Sequence, residues 1–100
     1  MMITKSHLES VRAYSHDEGW PFKVFVRQSS EGYWTISVRY YWRWTNEDVA
    51  TCLCTLEPQV FGVPRQLMVR FDTAEEAIAY CDREGIVLTD PARPLVHENA

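Results

Sequence analysis

The chain has few of the residues that mark membrane proteins, disordered proteins or disulfide-rich secreted domains. Its 100 residues include four glycines, five prolines and three cysteines, and no apolar run approaches the roughly 18 to 20 residues that a membrane-spanning helix needs. The first ten residues lack the basic and apolar regions of a secretion signal. An odd number of cysteines without a C-x-x-C pair indicates free thiols in a reducing compartment. We therefore expect a cytoplasmic protein with no membrane partner.

What the chain does contain indicates one ordinary folded domain. Apolar residues make up 46% and charged residues 24% of the sequence, proportions that are typical of a globular protein. A chain of this length has room for one core, so we expect a single domain over residues 1–100, with flexible ends at 1–5 and 89–100. The net charge of -4 is opposite in sign to that of a general nucleic-acid binder.

The stretch from Tyr33 to Trp44, YWTISVRYYWRW, alternates between apolar and polar side chains. Its even positions are apolar or aromatic: Trp34, Ile36, Val38, Tyr40, Trp42 and Trp44. Its odd positions are polar, cationic or tyrosine: Tyr33, Thr35, Ser37, Arg39, Tyr41 and Arg43. Because successive side chains of a strand point to opposite faces, this alternation predicts a long strand whose even face enters the core.

The residues before this strand predict its partner in a hairpin. Phe22 to Gln28 alternates in the same way, and the turn at 29–32 contains a glycine. If both apolar faces point to the core, Val26 must pair with Ile36 and Val24 with Val38. The opposite face then carries a set of basic and tyrosine side chains, which is the first candidate partner-binding surface: Lys23, Arg27, Tyr33, Arg39, Tyr41 and Arg43.

The remaining elements follow from capping and alternation. They are a short helix over 7–17, strands over 49–56 and 66–71, a helix over 74–84 and a short strand over 86–88. Ser6 with Glu9 and Thr73 with Glu76 fit the capping box, and Gly19 and Gly85 are placed to end the helices. Residues 57–65 are expected to form a loop anchored by its apolar residues. The order α-β-β-β-β-α-β predicts an α+β domain, an antiparallel sheet of four to five strands with one main helix on one face and a short N-terminal helix.

The second half of the chain is acidic. Residues 46–100 contain ten acidic against four basic residues, whereas residues 1–45 contain four acidic against six basic ones. Five of the carboxylates lie in or beside the second helix: Asp72, Glu75, Glu76, Asp82 and Glu84. This acidic helix is the second candidate surface, and it would complement a basic groove on a target.

No motif for catalysis is found in the sequence. It lacks a nucleophile elbow, a P-loop, a dinucleotide fingerprint and an H-E-x-x-H motif. Cys52 and Cys54 share a strand face, and we expect Cys81 on the second helix to pack there. Three thiolates and a histidine would satisfy zinc, but small buried cysteines commonly fill a core. We therefore expect no enzyme, no metal and no cofactor.

Residues 66–86, QLMVRFDTAEEAIAYCDREGI, combine a strand that ends in Phe71 with a T-x-E-E-A helix that closes on Gly-Ile. This segment, about a fifth of the chain, resembles the strand-helix segment of the small accessory subunit family of respiratory complex I. The resemblance implies an accessory subunit of a larger complex. VFGVPR stands where that family has a Met-Gly-Trp or Met-Gly-Tyr turn followed by serines, so no functional residue is carried over.

These observations together predict a small non-enzymatic protein-binding module. Arginine and tyrosine are enriched at interface hot spots, and a compact chain of this kind suits a bacterial or phage-encoded inhibitor that binds a protein target through the acidic helix, the arginine-tyrosine face or both. The alternatives are an accessory subunit and a single-stranded nucleic-acid-binding sheet domain, in which bases stack on aromatic rings and arginines hold phosphates. The sequence leaves the oligomeric state open between monomer and dimer.

Overall fold

The computed structural model describes residues 2–89 of the chain, which form two helices and a five-stranded mixed sheet. In chain order the elements are β1 (Ile3–Thr4), α1 (Lys5–Glu18), β2 (Phe22–Gln28), β3 (Trp34–Trp42), β4 (Glu47–Glu57), β5 (Arg65–Met68) and α2 (Ala74–Glu84). Within the described residues, β1 and β4 are the one parallel pair of strands. The predicted α+β class is confirmed, and β1 is an additional strand that was not predicted.

The hairpin formed by β2 and β3 has the predicted register. Val26 pairs with Ile36 and Val24 with Val38, and each of these four side chains is at most 2% exposed. A slip of one residue would turn the two side chains of the strand that slipped to the opposite face of the sheet, so the burial of all four fixes the register. β4 pairs with the other edge of β3, which makes β3 a central strand.

β4 changes its neighbours along its length. Its first half pairs with β3. Beyond that point, Cys54 pairs with Thr4 of β1 and also with Met68 of β5. β1 and β5 therefore lie on opposite edges of β4. The predicted strand over 66–71 is shorter than expected, because Phe71 leaves β4 and pairs with Trp34 in an isolated bridge. Leu67 of β5 is 36% exposed.

The ends of the helices follow from capping. Thr73 Oγ1 accepts a hydrogen bond from the backbone N–H of Glu76 at 3.2 Å, and Gly85 ends α2 in the left-handed conformation with φ 72°, both as predicted. The prediction of Ser6 as the first cap was wrong. α1 begins at Lys5, because Thr4 accepts the hydrogen bond from the backbone N–H of His7 at 3.3 Å.

The core lies between the two helices and the apolar face of the sheet. Its buried side chains are Ile3, Leu8, Val11, Val24, Val26, Trp34, Ile36, Val38, Leu53, Ala74, Ala77, Cys81, Ile86 and Leu88. Although residues 1–5 were predicted to be a flexible end, Ile3 is 2% exposed and belongs to this core. Burial of its apolar surface explains how a two-residue strand holds its place.

Residues 86–88 do not form the predicted final strand, yet they close the core. Ile86 and Leu88 are buried, and Thr89 then bonds to β2: its backbone N–H donates to Val24 O at 2.8 Å, and its Oγ1 accepts from Val24 N at 2.9 Å. Apart from Thr89, the end predicted to be flexible lies outside the described residues.

Candidate partner-binding surfaces

The face of the sheet turned away from the helices is built by cross-strand pairing. Phe25 pairs with Ser37, and Ser37 pairs with Cys52, so these side chains form one row across β2, β3 and β4. Directly paired residues share a face, and Lys23 opposite Arg39 forms the next row. We call this surface the open face and define it by seven residues: Lys23, Phe25, Arg27, Ser37, Arg39, Ala50 and Cys52.

A shallow cleft of about 240 Å³ lies in the middle of the open face. Arg27, Arg39, Ser37 and Cys52 contribute to its lining. Ser37 is 3% exposed, and its Oγ has no hydrogen-bond partner among the described residues. A buried hydroxyl without a partner costs about 1–3 kcal/mol. The cleft therefore combines positive charge with a polar group that a ligand would satisfy.

The basic side chains of the open face are not neutralised within residues 2–89. Lys23 and Arg39 are exposed and occupy directly opposite positions on β2 and β3. Asp48 lines a cavity of about 310 Å³ together with both of them, yet none of Lys23, Arg27 and Arg39 forms an ion pair with a described carboxylate. Like charges at opposite positions destabilise a sheet modestly, so an anionic partner would relieve this repulsion.

The structure places the other predicted residues of this surface apart from the cleft. Tyr33 precedes β3, and the guanidinium carbon of Arg70 lies 4.4 Å from the centroid of its ring. Tyr41 is half-buried, with its ring edge-to-face against Trp20 at a centroid distance of 5.2 Å. Arg43 is exposed in the turn that follows β3. Both tyrosine rings thus already contact side chains of the same chain.

The acidic residues of α2 lie on the other side of the molecule from the open face, because α2 buries Ala74, Ala77 and Cys81 against the opposite face of the sheet. The carboxylates are exposed or partly exposed: Asp72, Glu75, Glu76, Asp82 and Glu84. Glu84 lies 3.9 Å from Lys5 Nζ, while the other four form no ion pair with a described residue. The two predicted surfaces therefore carry opposite charge on opposite sides.

The three cysteines do not form a cluster. Cys52 lines the cleft of the open face, whereas Cys81 is 1% exposed in the core beneath α2, so the expectation that Cys81 packs on the cysteine face of β4 was wrong. Burial, with a smaller contribution from Asp82, raises the pKa of Cys81 to about 11, and burial raises the pKa of Cys54. Within residues 2–89, no group of three or more histidine, cysteine or acidic residues is arranged to hold a metal ion.

The loop between β4 and β5 carries an apolar tip whose exposure was not predicted. Val60, Phe61 and Val63 are 91%, 91% and 83% exposed, although they were expected to anchor the loop. The signal was present in the sequence as an apolar V-F-x-V run between two prolines. Apolar composition alone does not tell whether such a run packs inward or projects outward.

A second apolar feature lies beside α1, where the aromatic hairpin extends past the helix. A groove of about 480 Å³ is lined by Tyr40, Trp42 and Val49 among others, and it adjoins a hollow of about 250 Å³ lined by Tyr14, Trp42 and Trp44. Trp44 was predicted to lie on the core face but is 76% exposed. The strand ends at Trp42, so Trp44 belongs to a turn and not to a strand face.

Two further findings concern the chain as a whole. Among residues 2–89, no helix is both long and apolar enough to cross a membrane. Comparisons with protein-family models, curated proteins and solved structures found no match to this chain. The resemblance of residues 66–86 to the complex I accessory subunits therefore rests on those residues alone.

Proposed function

We propose that the chain is a small protein-binding module whose open face binds an acidic segment of a protein partner. The observation that carries this proposal is the set of unneutralised basic groups on one face. Lys23 lies directly opposite Arg39, Arg27 follows two positions beyond Phe25 on the same strand, and none of the three forms an ion pair with a described carboxylate.

The cleft supports a carboxylate ligand more specifically than charge alone does. A guanidinium donates two parallel N–H bonds to a carboxylate, which adds geometric selection to the attraction. Arg27 and Arg39 both line the cleft, and Phe25 supplies an apolar surface between them. Ser37 Oγ is shielded from water, so a ligand oxygen would reach it by displacing a neighbouring side chain.

Nucleic acid is the alternative ligand for this face, and the aromatic contacts favour protein over it. Single-stranded nucleic acid is held by bases that stack on aromatic rings. The ring of Tyr33 is in contact with Arg70 and that of Tyr41 with Trp20, so stacking would have to displace contacts within the chain. The net charge of -4 also opposes the approach of a polyanion.

The acidic helix supports a second candidate function, an inhibitor that occupies a basic groove of its target. Its supporting observation is that Asp72, Glu75, Glu76 and Asp82 are exposed and form no ion pair with a described residue. Such a surface resembles the charge of a nucleic acid and would compete for the same groove. Because this helix lies opposite the open face, the two functions use separate surfaces.

Affinity capture from a lysate of the source organism, with and without nuclease, tests the proposal. The tagged chain is compared with two variants of opposite design, Arg27→Glu with Arg39→Glu on the open face and Glu75→Lys with Glu76→Lys on α2. The four substituted side chains are all exposed, so both variants should keep the parent's circular dichroism.

We expect a stoichiometric protein that survives nuclease, is lost with the open-face variant and is retained by the helix variant. Loss with the helix variant alone would transfer the function to the acidic helix. Recovery that depends on nucleic acid would establish the nucleic-acid alternative, and capture of a stable multi-subunit assembly would favour the accessory-subunit alternative. A partner retained by both variants would contradict both charge-based proposals.

A further inference from the structure

The apolar tip between β4 and β5 is held in a defined shape. Pro58 and Pro64 flank it, and each fixes its own backbone φ angle. At its base Glu57 pairs with Arg65 in the ladder, and Arg65 Nη2 donates to Glu57 Oε1 at 2.9 Å. Gly62 turns the chain with φ 91°, a conformation that favours glycine. A tip with this constraint loses less conformational entropy on binding than a free loop would.

The tip is apolar and uncharged. Residues 58–64 contain no acidic or basic side chain, and the charges of Glu57 and Arg65 neutralise each other at its base. Val60, Phe61 and Val63 project almost fully into solvent. Clustered exposed apolar side chains on a folded domain mark contact sites, and an apolar receptor would match these three.

The same chain carries an apolar receptor of suitable size. The groove beside α1, about 480 Å³ in volume, is lined by six apolar or aromatic residues and four polar ones: Met2, Ile3, Tyr40, Trp42, Val49 and Ala50, with His7, Thr45, Glu47 and Thr51. Its volume falls within the range of about 300–1,000 Å³ that is usual for ligand pockets. Trp44, 76% exposed, lines the adjoining hollow, which shares His7 and Trp42 with the groove and extends the apolar receptor.

We propose that the apolar tip of one copy of this chain inserts into the groove of a second copy, and that the exchange is reciprocal. Val49 in the groove lies near the start of β4, and the tip follows the end of that strand. Two copies with their β4 strands antiparallel would place each tip at the groove of the other. This arrangement meets the condition of a twofold interface, in which residue i contacts j and j contacts i.

Lipid is a weaker occupant of the tip than a second copy. Loops and helices that bind membrane surfaces combine apolar side chains with lysine and arginine that attract anionic headgroups. Arg65 is the one cation next to the tip in sequence, and its charge is already paired with Glu57. An uncharged tip also meets no long-range repulsion from a second copy of an acidic chain.

The proposal predicts that the chain dimerises with a dissociation constant in the micromolar range or below. Sedimentation velocity from about 1 to about 200 µM measures it by mass action. We expect Phe61→Ser to raise the dissociation constant by at least about tenfold. Val87→Ser is the matched control, since Val87 is also an apolar side chain, 67% exposed, but lines neither the tip nor the groove.

A mixing experiment separates tip-to-groove contact from contact between two tips. Trp44→Ala removes part of the hollow that extends the groove and leaves the core intact, because Trp44 is 76% exposed. In a mixture of Phe61→Ser and Trp44→Ala chains, the mixed dimer keeps one intact tip and one intact groove in contact. We therefore expect the mixture to associate more tightly than either variant alone.

Three results would overturn the proposal. A parent chain that stays monomeric up to about 200 µM excludes the dimer, and a dimer that Phe61→Ser leaves unchanged excludes the tip from the dimer interface. A mixture that associates no better than the separate variants excludes the tip-to-groove contact. A monomeric chain that binds phosphatidylcholine vesicles through Phe61 would assign the tip to a lipid surface. Of the seven open-face residues the groove includes Ala50 and none of the basic side chains, so the Arg27→Glu with Arg39→Glu variant should dimerise like the parent.

Discussion

Lys23→Glu should make the protein more stable while it weakens partner binding. Lys23 and Arg39 occupy directly opposite, exposed positions on β2 and β3, and like charges at such positions destabilise a sheet. The substitution replaces this repulsion by an attraction. If the open face binds carboxylates, the same substitution removes one of its cations and adds an anion, so the affinity for an acidic partner should fall.

The size of the effect follows from the cross-strand geometry. A charge pair across two strands contributes about 0.2–1 kcal/mol, so reversing its sign should raise the free energy of unfolding by about 0.5–1.5 kcal/mol. For a domain of this length, that corresponds to a rise in Tm of roughly 2–12 °C. Asp48 on β4 should reduce this gain only slightly. β3 lies between Asp48 and position 23 on β2, so the two positions are about 10 Å apart. This separation is near the Debye length at 0.1 M salt, so their interaction is largely screened.

Urea unfolding at low and high salt measures the prediction. Lys23→Gln removes the repulsion without adding an attraction, so it should show about half of the gain, and 1 M salt should reduce the difference between parent and variants. A Lys23→Glu chain that is no more stable than Lys23→Gln at low salt would refute the opposed arrangement of Lys23 and Arg39. Stability and binding that change in opposite directions cannot result from a folding defect.

Further predictions concern the helix cap, the core and the thiols. Thr73→Ala should lower the free energy of unfolding by about 1 kcal/mol through loss of the cap of α2, Thr73→Ser should restore it, and urea unfolding of both variants decides this. Leu53→Ala should cost about 2–5 kcal/mol in the same assay, since Leu53 is 1% exposed; a cost below 1 kcal/mol would mean that this part of the core is absent. In the folded chain at neutral pH, iodoacetamide should label Cys52 before Cys81, because Cys81 is buried and burial raises its pKa to about 11; equal rates by peptide mapping would contradict its place in the core. Because the pKa of folded Cys81 lies above the ordinary 9.0, its contribution to stability is present below pH 9 and lost as the pH rises towards 11, so Cys81→Ala should lose less stability than the parent over that interval.

The aromatic hairpin could be predicted because several local signals agree. Alternation fixes which side chains of β2 and β3 face the core, and the short turn between the strands fixes their register. The pairs Val26–Ile36 and Val24–Val38 were therefore correct to the residue. The cap of α2 was predicted for a similar reason, since Thr73 Oγ1 accepts a hydrogen bond from the backbone N–H of Glu76, only three residues along the chain.

Elements that depend on distant residues were not predicted. β1 is a strand because Ile3 and Thr4 pair with β4, fifty residues further along the chain. The local sequence MMIT does not indicate this pairing. Residues 86–88 alternate like a strand. The backbone hydrogen bonds to β2, however, are made by Thr89 to Val24 and not by residues 86–88. Trp44 continues the alternating pattern of the sequence, but the strand ends at Trp42 and Trp44 lies in the turn that follows.

The candidate site was partly predictable for the same reason. Parity along the two strands places Lys23, Arg27 and Arg39 on one face, and the structure brings these three together. Parity could not place the tyrosines, because the position of a ring depends on side chains from other parts of the chain. Arg70 follows β5 and contacts Tyr33, and Trp20, which precedes β2, contacts Tyr41.

The two proposals have a joint consequence, because the open face shares no residue with the apolar tip. A reciprocal dimer of this chain would carry two open faces at a fixed separation, and a partner with two acidic segments would bind both. The second contact then forms at a high effective concentration, which raises the overall affinity without any new interaction. Phe61→Ser should therefore weaken the binding of such a bivalent partner while leaving the affinity for a single acidic segment unchanged, whereas Arg27→Glu with Arg39→Glu should abolish both and leave the dimer intact. If either of these variants lost both dimerisation and the binding of a single acidic segment, the two surfaces would be one.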